Sequence, residues 1–238
     1  EIVVRSIRRP DLLWIAIADP KAGRVDDFQI AADRTIDAYQ FKWSGYGGNF
    51  SYVDLTKGSG SAPGLIKQLA DGWTKLKEQN PGFRVVVHLV TNEQPSTSVG
   101  PPVSKPAPVP AHFSAFIEQA WKPFANGHYT SESDLPETWR TAWKALLAAS
   151  GLNETEFLQF IRDCKLEFGA RPYVAGSGGS LEDARFDKDV REVTEKIFEA
   201  VFDPQLIVRL TREELIGRLG WKSRVEMHNI HAFPVDEL

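Results

Sequence analysis

Four polar residues in the stretch RVDDFQIAADRTIDAYQFKWS, residues 24–44, have types and spacing that suit chemistry: Asp26, Asp27, Gln40 and Lys42. Gln40 and Lys42 stand two apart, so on a strand they share one face while Phe41 and Trp43 take the other. An antiparallel hairpin of DFQIAA and TIDAYQFKW brings Asp27 to the same end as Gln40 and Lys42. A carboxylate and an amide oxygen, completed by water and a phosphate oxygen, suit a hard divalent cation such as Mg2+ or Mn2+. A lysine beside them could orient or help deprotonate an attacking water, or steady charge on a phosphorane-like transition state, while the metal lowers the water's pKa. These are the parts for phosphodiester hydrolysis. The competing reading is a hairpin with ordinary solvated decoration. A one-residue shift in register would exchange Asp27 for Asp26, so both remain candidates for the acid.

The elements that must position these residues follow from hydrophobic pattern. DLLWIAIA, residues 11–18, is a continuous apolar run, expected as a strand buried on both faces, and Pro20 and Gly23 mark the turn after it. The two hairpin strands come next, with Asp33 and Arg34 between them. SGYGGNFSYVDLTKGSGSAPG reads as a mobile glycine- and serine-rich loop; if it serves function, Tyr46, Asn49 and Lys57 are its candidate DNA contacts. Leu65, Leu69, Trp73 and Leu76 stand at helical spacing, NPG ends that helix, and FRVVVHLVT reads as a fourth, buried strand. His88 inside it is expected to be a satisfied core or site-rim histidine. Five prolines from Pro101 to Pro110 break the composition and mark an exposed connector. Beyond it the pattern is helical. Gly151 ends one helix, Asn153 with Glu156 opens the next, and Thr211 with Glu214 forms a capping box on the last. Trp121, Trp139, Trp143 and Trp221 are expected in the core, and His228 and His231 are too few for a metal site.

Asp27, about a dozen residues and then Gln-x-Lys on the next strand resemble the PD-(D/E)xK nuclease superfamily, in the Mrr-like branch where glutamine replaces the usual glutamate. The helix LIKQLADGWTKL followed by VVVHLVTNEQPS is similar to the continuation in effector nucleases of bacterial antiphage systems. Those nucleases stand at the N-termini of STAND and NACHT-type ATPases and beside SAVED domains. LTREELIGRLGWKSRVEMHNIHAFPV also resembles the segment leading into such an ATPase. The resemblance implies an α/β fold: a restriction-endonuclease-like core, with a mixed central sheet and flanking helices, and a C-terminal helical subdomain. It implies Asp27 as metal-binding acid, Gln40 as second ligand, Lys42 as catalytic lysine and the Phe41 backbone carbonyl as a further ligand. Asp19 stands where some relatives place an additional acid. Two departures matter: Gln40 is neutral, and the acid-bearing helix usual before the first strand is not legible.

At 238 residues with 42% hydrophobic and 25% charged content, the chain can bury a sizeable core. Its net charge of -4 excludes unaided nonspecific binding to phosphate backbones. Lone Cys164 excludes an internal disulfide, no apolar run suits a membrane span, and the expected compartment is the cytoplasm. The chain opens on Glu1 and is expected to be part of a longer protein. The expected organisation is a nuclease core over residues 1–100, a connector over 101–111 and a helical subdomain over 112–238 leading to an ATPase or sensor. The resemblance implies cleavage of double-stranded DNA with little sequence specificity in antiphage defence, switched on when the full-length protein forms a homo-oligomer, a dimer or tetramer. The alternative is an inactive nuclease fold serving oligomerisation or as an adaptor.

Overall fold

The computed structural model describes residues 2–18, 25, 27–58, 60–97, 112–171, 181–201 and 209–221. In chain order, α1 (Ile2–Ile7) precedes β1 (Leu12–Ile17), β2 (Phe28–Ala32) and β3 (Thr35–Lys42). Then come β4 (Asn49–Phe50), α2 (Tyr52–Thr56), α3 (Leu65–Gln79), β5 (Arg84–Thr91) and β6 (Gln94–Pro95). Helix α4 (Phe113–Phe116) passes through a π-helical turn, Ile117–Trp121, into α5 (Lys122–Ala125). The described chain closes with α6 (Glu137–Ser150), α7 (Glu154–Asp163), β7 (Cys164–Glu167), α8 (Leu181–Val201), β8 (Arg209–Thr211) and α9 (Arg212–Leu219).

Six strands form a central sheet in the order β7-β5-β3-β2-β1-β8, flanked by helices. It is mixed: β3, β5 and β7 run parallel to one another, and β8 is antiparallel to β1. This is an α/β architecture. The chain divides into two compact units, one of residues 1–18, 29–34 and 172–238, the other of 19–28 and 35–171.

In the first unit, Val4, Ile7, Ile15, Val193 and Leu215 are buried. Arg8 pairs with Asp189 at 3.0 Å and Arg212 donates to the Ile7 carbonyl at 3.2 Å, which ties α1 to α8 and α9. Strand β1 is not buried on both faces as its apolar run suggested, because Leu13 is 45% exposed. A helix does precede β1, but its sequence, IVVRSI, holds no acid. Asp33 and Arg34 take φ of 43° and 57°, the left-handed pair that a two-residue I′ hairpin turn requires.

The second unit is built on β3, β5 and β7. Strand β5 is buried from Val85 to Thr91, as its β-branched run requires, and α3 lays Ile66, Leu69, Trp73 and Leu76 into the core. Val25 packs against Gly72 of α3, where a Cβ would come within 2.2 Å of Val25 Cγ2. The glycine-rich span after β3 is not a structureless loop. Ser51 and Asp54 form a capping box that starts α2. Phe50, Tyr52 and Leu55 are buried, Phe50 and Tyr52 against Phe113, and the Tyr52 hydroxyl donates to the Ala142 carbonyl at 2.6 Å. Aromatic burial and the cap outweigh the flanking glycines.

Two strands correct the wholly helical reading of the second half. CKLE leaves α7 directly as β7, pairing with β5 from Val87↔Cys164 to Val90↔Glu167, and RLT forms β8. Residues 112–171, part of the stretch expected as a helical subdomain, fall in the same compact unit as β3 and β5. The proline-rich connector lies outside the described residues. Helices α6, α7 and α9 end or begin as their caps dictate: Gly151 at φ 74°, Asn153 with Glu156, and Thr211 with Glu214. Trp121, Trp139, Trp143 and Trp221 are buried.

Candidate functional site

Asp27 stands one residue before β2, and Gln40, Phe41 and Lys42 are the last three residues of β3. Alternation puts Ile36, Ala38, Gln40 and Lys42 on one face of β3, where the first two are buried and the last two half-buried. The Phe41 N–H donates to Asp27 Oδ2 at 2.7 Å. In an extended strand a residue's N–H and C=O point to the same edge, so the Phe41 carbonyl is presented beside the same carboxylate.

The Gln40 side-chain amide joins them. Its Nε2 donates to Asp27 Oδ2 at 2.6 Å and lies 3.5 Å from the Phe41 carbonyl oxygen. Two oxygens, one of the Asp27 carboxylate and that of the Phe41 carbonyl, thus meet at the Gln40 amide N–H group. An amide exchanges its nitrogen for its oxygen by a half-turn about its last bond, so the same three groups form an all-oxygen donor set for a hard cation. The set carries one negative charge. Among the described residues, no three or more His, Cys, Asp or Glu side chains group so as to hold a metal ion. Any cation here would rest on Asp27 with neutral oxygens and water.

Lys42 extends from the same face as Gln40, and its Nζ lies 5.1 Å from the centroid of the buried Phe50 ring. That cation–π contact contributes about 0.5–1 kcal/mol and holds the ammonium at the end of β3. Its register partner on β5 is Thr91, also buried. Asp19 and Asp26, the substitute acids, lie outside the described residues, as do His228 and His231.

The opposite face of β3 carries a second polar cluster. His88 on β5 is 5% exposed and stacks on Tyr39, ring centroids 4.4 Å apart. Its Nε2 meets Asp37 Oδ1 at 2.8 Å and its Nδ1 meets Glu167 Oε1 at 2.6 Å. Burial alone would push the imidazole pKa down, but the hydrogen bonds and charges of Asp37 and Glu167 overcome it and hold the pKa above its ordinary value. With a carboxylate oxygen at each ring nitrogen, His88 clasps β3, β5 and β7 together and is charged there when both nitrogens carry a proton. Each carboxylate takes a different ring nitrogen, so the three groups do not converge on a common point. Sequence reading singled out His88 but neither carboxylate; the alternation of Asp37 with Tyr39 was the available signal, and the register with β5 was missing.

The end of β3 is fastened to β5 by a side chain. Asn92 accepts the Ser44 N–H at 3.0 Å and donates to the Ser44 carbonyl at 2.8 Å, continuing the ladder beyond the strands. Among the other candidate contacts, Tyr46 is 90% exposed, Asn49 starts β4, and Lys57 follows α2. No family model matches the chain, and no curated protein matches it in sequence. Among the described residues, no helix is long and apolar enough to cross a membrane.

Proposed function

We propose that this chain is a metal-dependent nuclease domain of the PD-(D/E)xK type, with a restriction-endonuclease-like core, that hydrolyses phosphodiester bonds of double-stranded DNA with little sequence specificity. The observation that carries the reading is the meeting of Asp27, Gln40 and the Phe41 carbonyl around a single amide nitrogen, with Lys42 on the same strand face. Asp27 would anchor Mg2+ or Mn2+ by its charge, and Gln40 and Phe41 would add neutral oxygens. Bound there, the cation supplies Lewis acidity, lowering the pKa of a coordinated water and offsetting phosphate charge. Lys42 presents a fixed positive charge toward the phosphate and steadies the charge that builds on it, or orients the attacking water. Asp27 and the Phe41 carbonyl hold the Gln40 amide nitrogen-first, so a cation would have to turn it about its last bond to gain its oxygen. A donor set of one carboxylate and neutral oxygens binds metal weakly, which fits an effector kept silent until the full-length protein assembles as a homo-oligomer in antiphage defence.

The same hydrogen bonds would serve a noncatalytic hairpin, and the test separates the two. The activated full-length protein is incubated with supercoiled plasmid and Mg2+ or Mn2+, and metal affinity of this chain is read independently by calorimetry with Mn2+. Expected are nicked and linear products, loss of cleavage by at least a hundredfold in Lys42→Ala and Asp27→Asn, and loss of Mn2+ heat in Asp27→Asn only. Equal behaviour of wild type and Lys42→Ala, or no cutting by either, would leave the adaptor reading.

A further inference from the structure

The end of β3 carries a lysine that no acid holds. Lys42 is half-buried, its Nζ lies 5.1 Å from the centroid of the Phe50 ring, and among the described residues it makes no hydrogen bond or ion pair. Lys67, Lys122 and Lys144, by contrast, are spent on Asp71, Glu118 and Glu132. An ammonium has three N–H donors, and all three of Lys42 are left for a ligand.

The ring beside it is clamped. Phe50 is fully buried, and the rings of Phe113 on α4 and of Phe168, the residue after β7, have their centroids 5.9 Å and 5.6 Å from its own. Backbone hydrogen bonds tie all three segments to residues 91–96. The Ser96 N–H donates to the Phe50 carbonyl at 2.8 Å and the Ser114 N–H to the Ser96 carbonyl at 3.0 Å. The Gly169 and Ala170 N–H groups donate to the Glu93 and Thr91 carbonyls, each at 2.9 Å. Thr91 is itself the register partner of Lys42. Ring and lysine are thus built on one short stretch of chain, which fixes one against the other.

The kind of partner matters. A carboxylate would hold the ammonium more firmly, but it would cancel the charge and take up donors. An aromatic face attracts the cation and consumes neither. A lysine stem is long enough to carry its head into water, so packing alone does not require this contact.

We propose that Phe50, clamped by Phe113 and Phe168, is a positioning residue that seats Lys42 with its charge and its three donors unspent, ready for a phosphate oxygen of a phosphodiester. The inference rests on the nuclease reading of the same site and chooses between the two roles open to Lys42: a seated ammonium steadies phosphate charge rather than orienting the attacking water.

The experiment has two arms. In the first, the Lys42 Hε signals of this chain, labelled with 13C and assigned by their loss in Lys42→Arg, are read by NMR. The Phe50 ring is expected to displace them upfield, and Phe50→Leu to return them to the ordinary lysine position. In the second, the activated full-length protein cuts supercoiled plasmid while the Mn2+ heat of this chain is measured. Phe50→Leu is expected to lower kcat about tenfold with KM and Mn2+ heat nearly unchanged, because the lysine is misplaced and the metal ligands are not. Phe168→Leu, whose ring is only half-buried, lowers kcat about threefold and decides the outcome should Phe50→Leu fail to fold. The proposal is overturned if Lys42 shows no upfield displacement, if the folded variants cut as the wild type does, or if Mn2+ heat falls along with cleavage, the mark of a merely structural ring. The two readings fail separately: cutting indifferent to Phe50 and Phe168 sinks the seat and keeps the nuclease, whereas plasmid left intact by the wild type sinks the nuclease and, even with Lys42 displaced upfield, leaves the ring with nothing to position.

Discussion

The clasp of His88 between Asp37 and Glu167 allows a prediction whose sign and ranking are both set by the structure. His88 is 6% exposed as a side chain, Asp37 is 28% and Glu167 is 47%. A charge-assisted hydrogen bond in a part-buried setting contributes about 1.5–3 kcal/mol, so Asp37→Asn is expected to cost about that much. Glu167 is half in water, its attraction is screened, and Glu167→Gln is expected to cost about 0.5–1 kcal/mol although its bond is the shorter. The ranking follows exposure, not distance. Because the native pKa of His88 lies above its ordinary value of 6.5, the clasp contributes fully below about pH 6.5, where folded and unfolded chains both hold the proton. As pH rises from 6.5 through the native pKa, the unfolded chain has already released its proton, and the contribution is lost.

The assay is urea unfolding of wild type and both variants from pH 5.5 to 9. Wild-type stability is expected to fall across the upper part of that range. In Asp37→Asn the slope flattens, because burial then opposes the charged imidazole with one carboxylate fewer. Lys165, the exposed register partner of His88 on β7, is common to all three proteins. A wild-type profile that is flat or rising above pH 6.5, or a Glu167→Gln variant costing as much as Asp37→Asn, would refute the reasoning.

Gly72→Ala should destabilise, against the helix-propensity gain of about 1 kcal/mol that the substitution normally brings, because the new Cβ falls 2.2 Å from Val25 Cγ2 and overpacking costs about 1–3 kcal/mol. Since Val25 is two residues from Asp27, Mn2+ heat should fall with it; a stabilised variant with unchanged metal binding would contradict the packing. Cys164 is 2% exposed, and burial, then the charge of Asp163, pushes its thiol pKa up. A thiol-specific disulfide reagent at neutral pH should therefore label it only as fast as the protein opens; prompt native-state labelling would contradict that burial.

The fold was legible where one signal covered many residues. Helix α3 and strand β5 have unbroken patterns, and the caps at Asn153 and Thr211 name their helices' first residues. Strand β7 was not legible: CKLE follows Asp163 with no glycine or proline to mark the end of α7, and only its pairing with β5 makes it a strand. Helix α2 was hidden because glycines on both sides drowned the signal of Ser51 and Asp54. At the site, the approach of Asp27 to Gln40 followed from alternation and a two-residue turn, both local. The partners of His88 could not follow, since Asp37 and Glu167 reach it through a register between strands 51 and 79 residues apart.

These two clusters bear on one another through β3. On the proposed reading, a donor set with a single carboxylate has little charge with which to correct a misplaced ligand, so the backbone at Asp27 and Phe41 would have to be placed beforehand, leaving the Gln40 amide only to turn. Three independent anchors act on that placement. Val25 against Gly72 positions the segment leading to Asp27, the Asn92 grip on Ser44 fixes the chain just past Lys42, and the His88 clasp locks β3 against β5 and β7. Because side chains alternate, the clasp does this from the face that Gln40 and Lys42 do not use. A shift of β3 by one residue would exchange the faces, turning Gln40 and Lys42 to the His88 side and Asp37 into their place. The clasp makes that slip costly, since it would part Asp37 from His88 and leave the ring with Glu167 alone. On the proposed reading, placement by packing and register would substitute for the second negative charge that Gln40 does not supply.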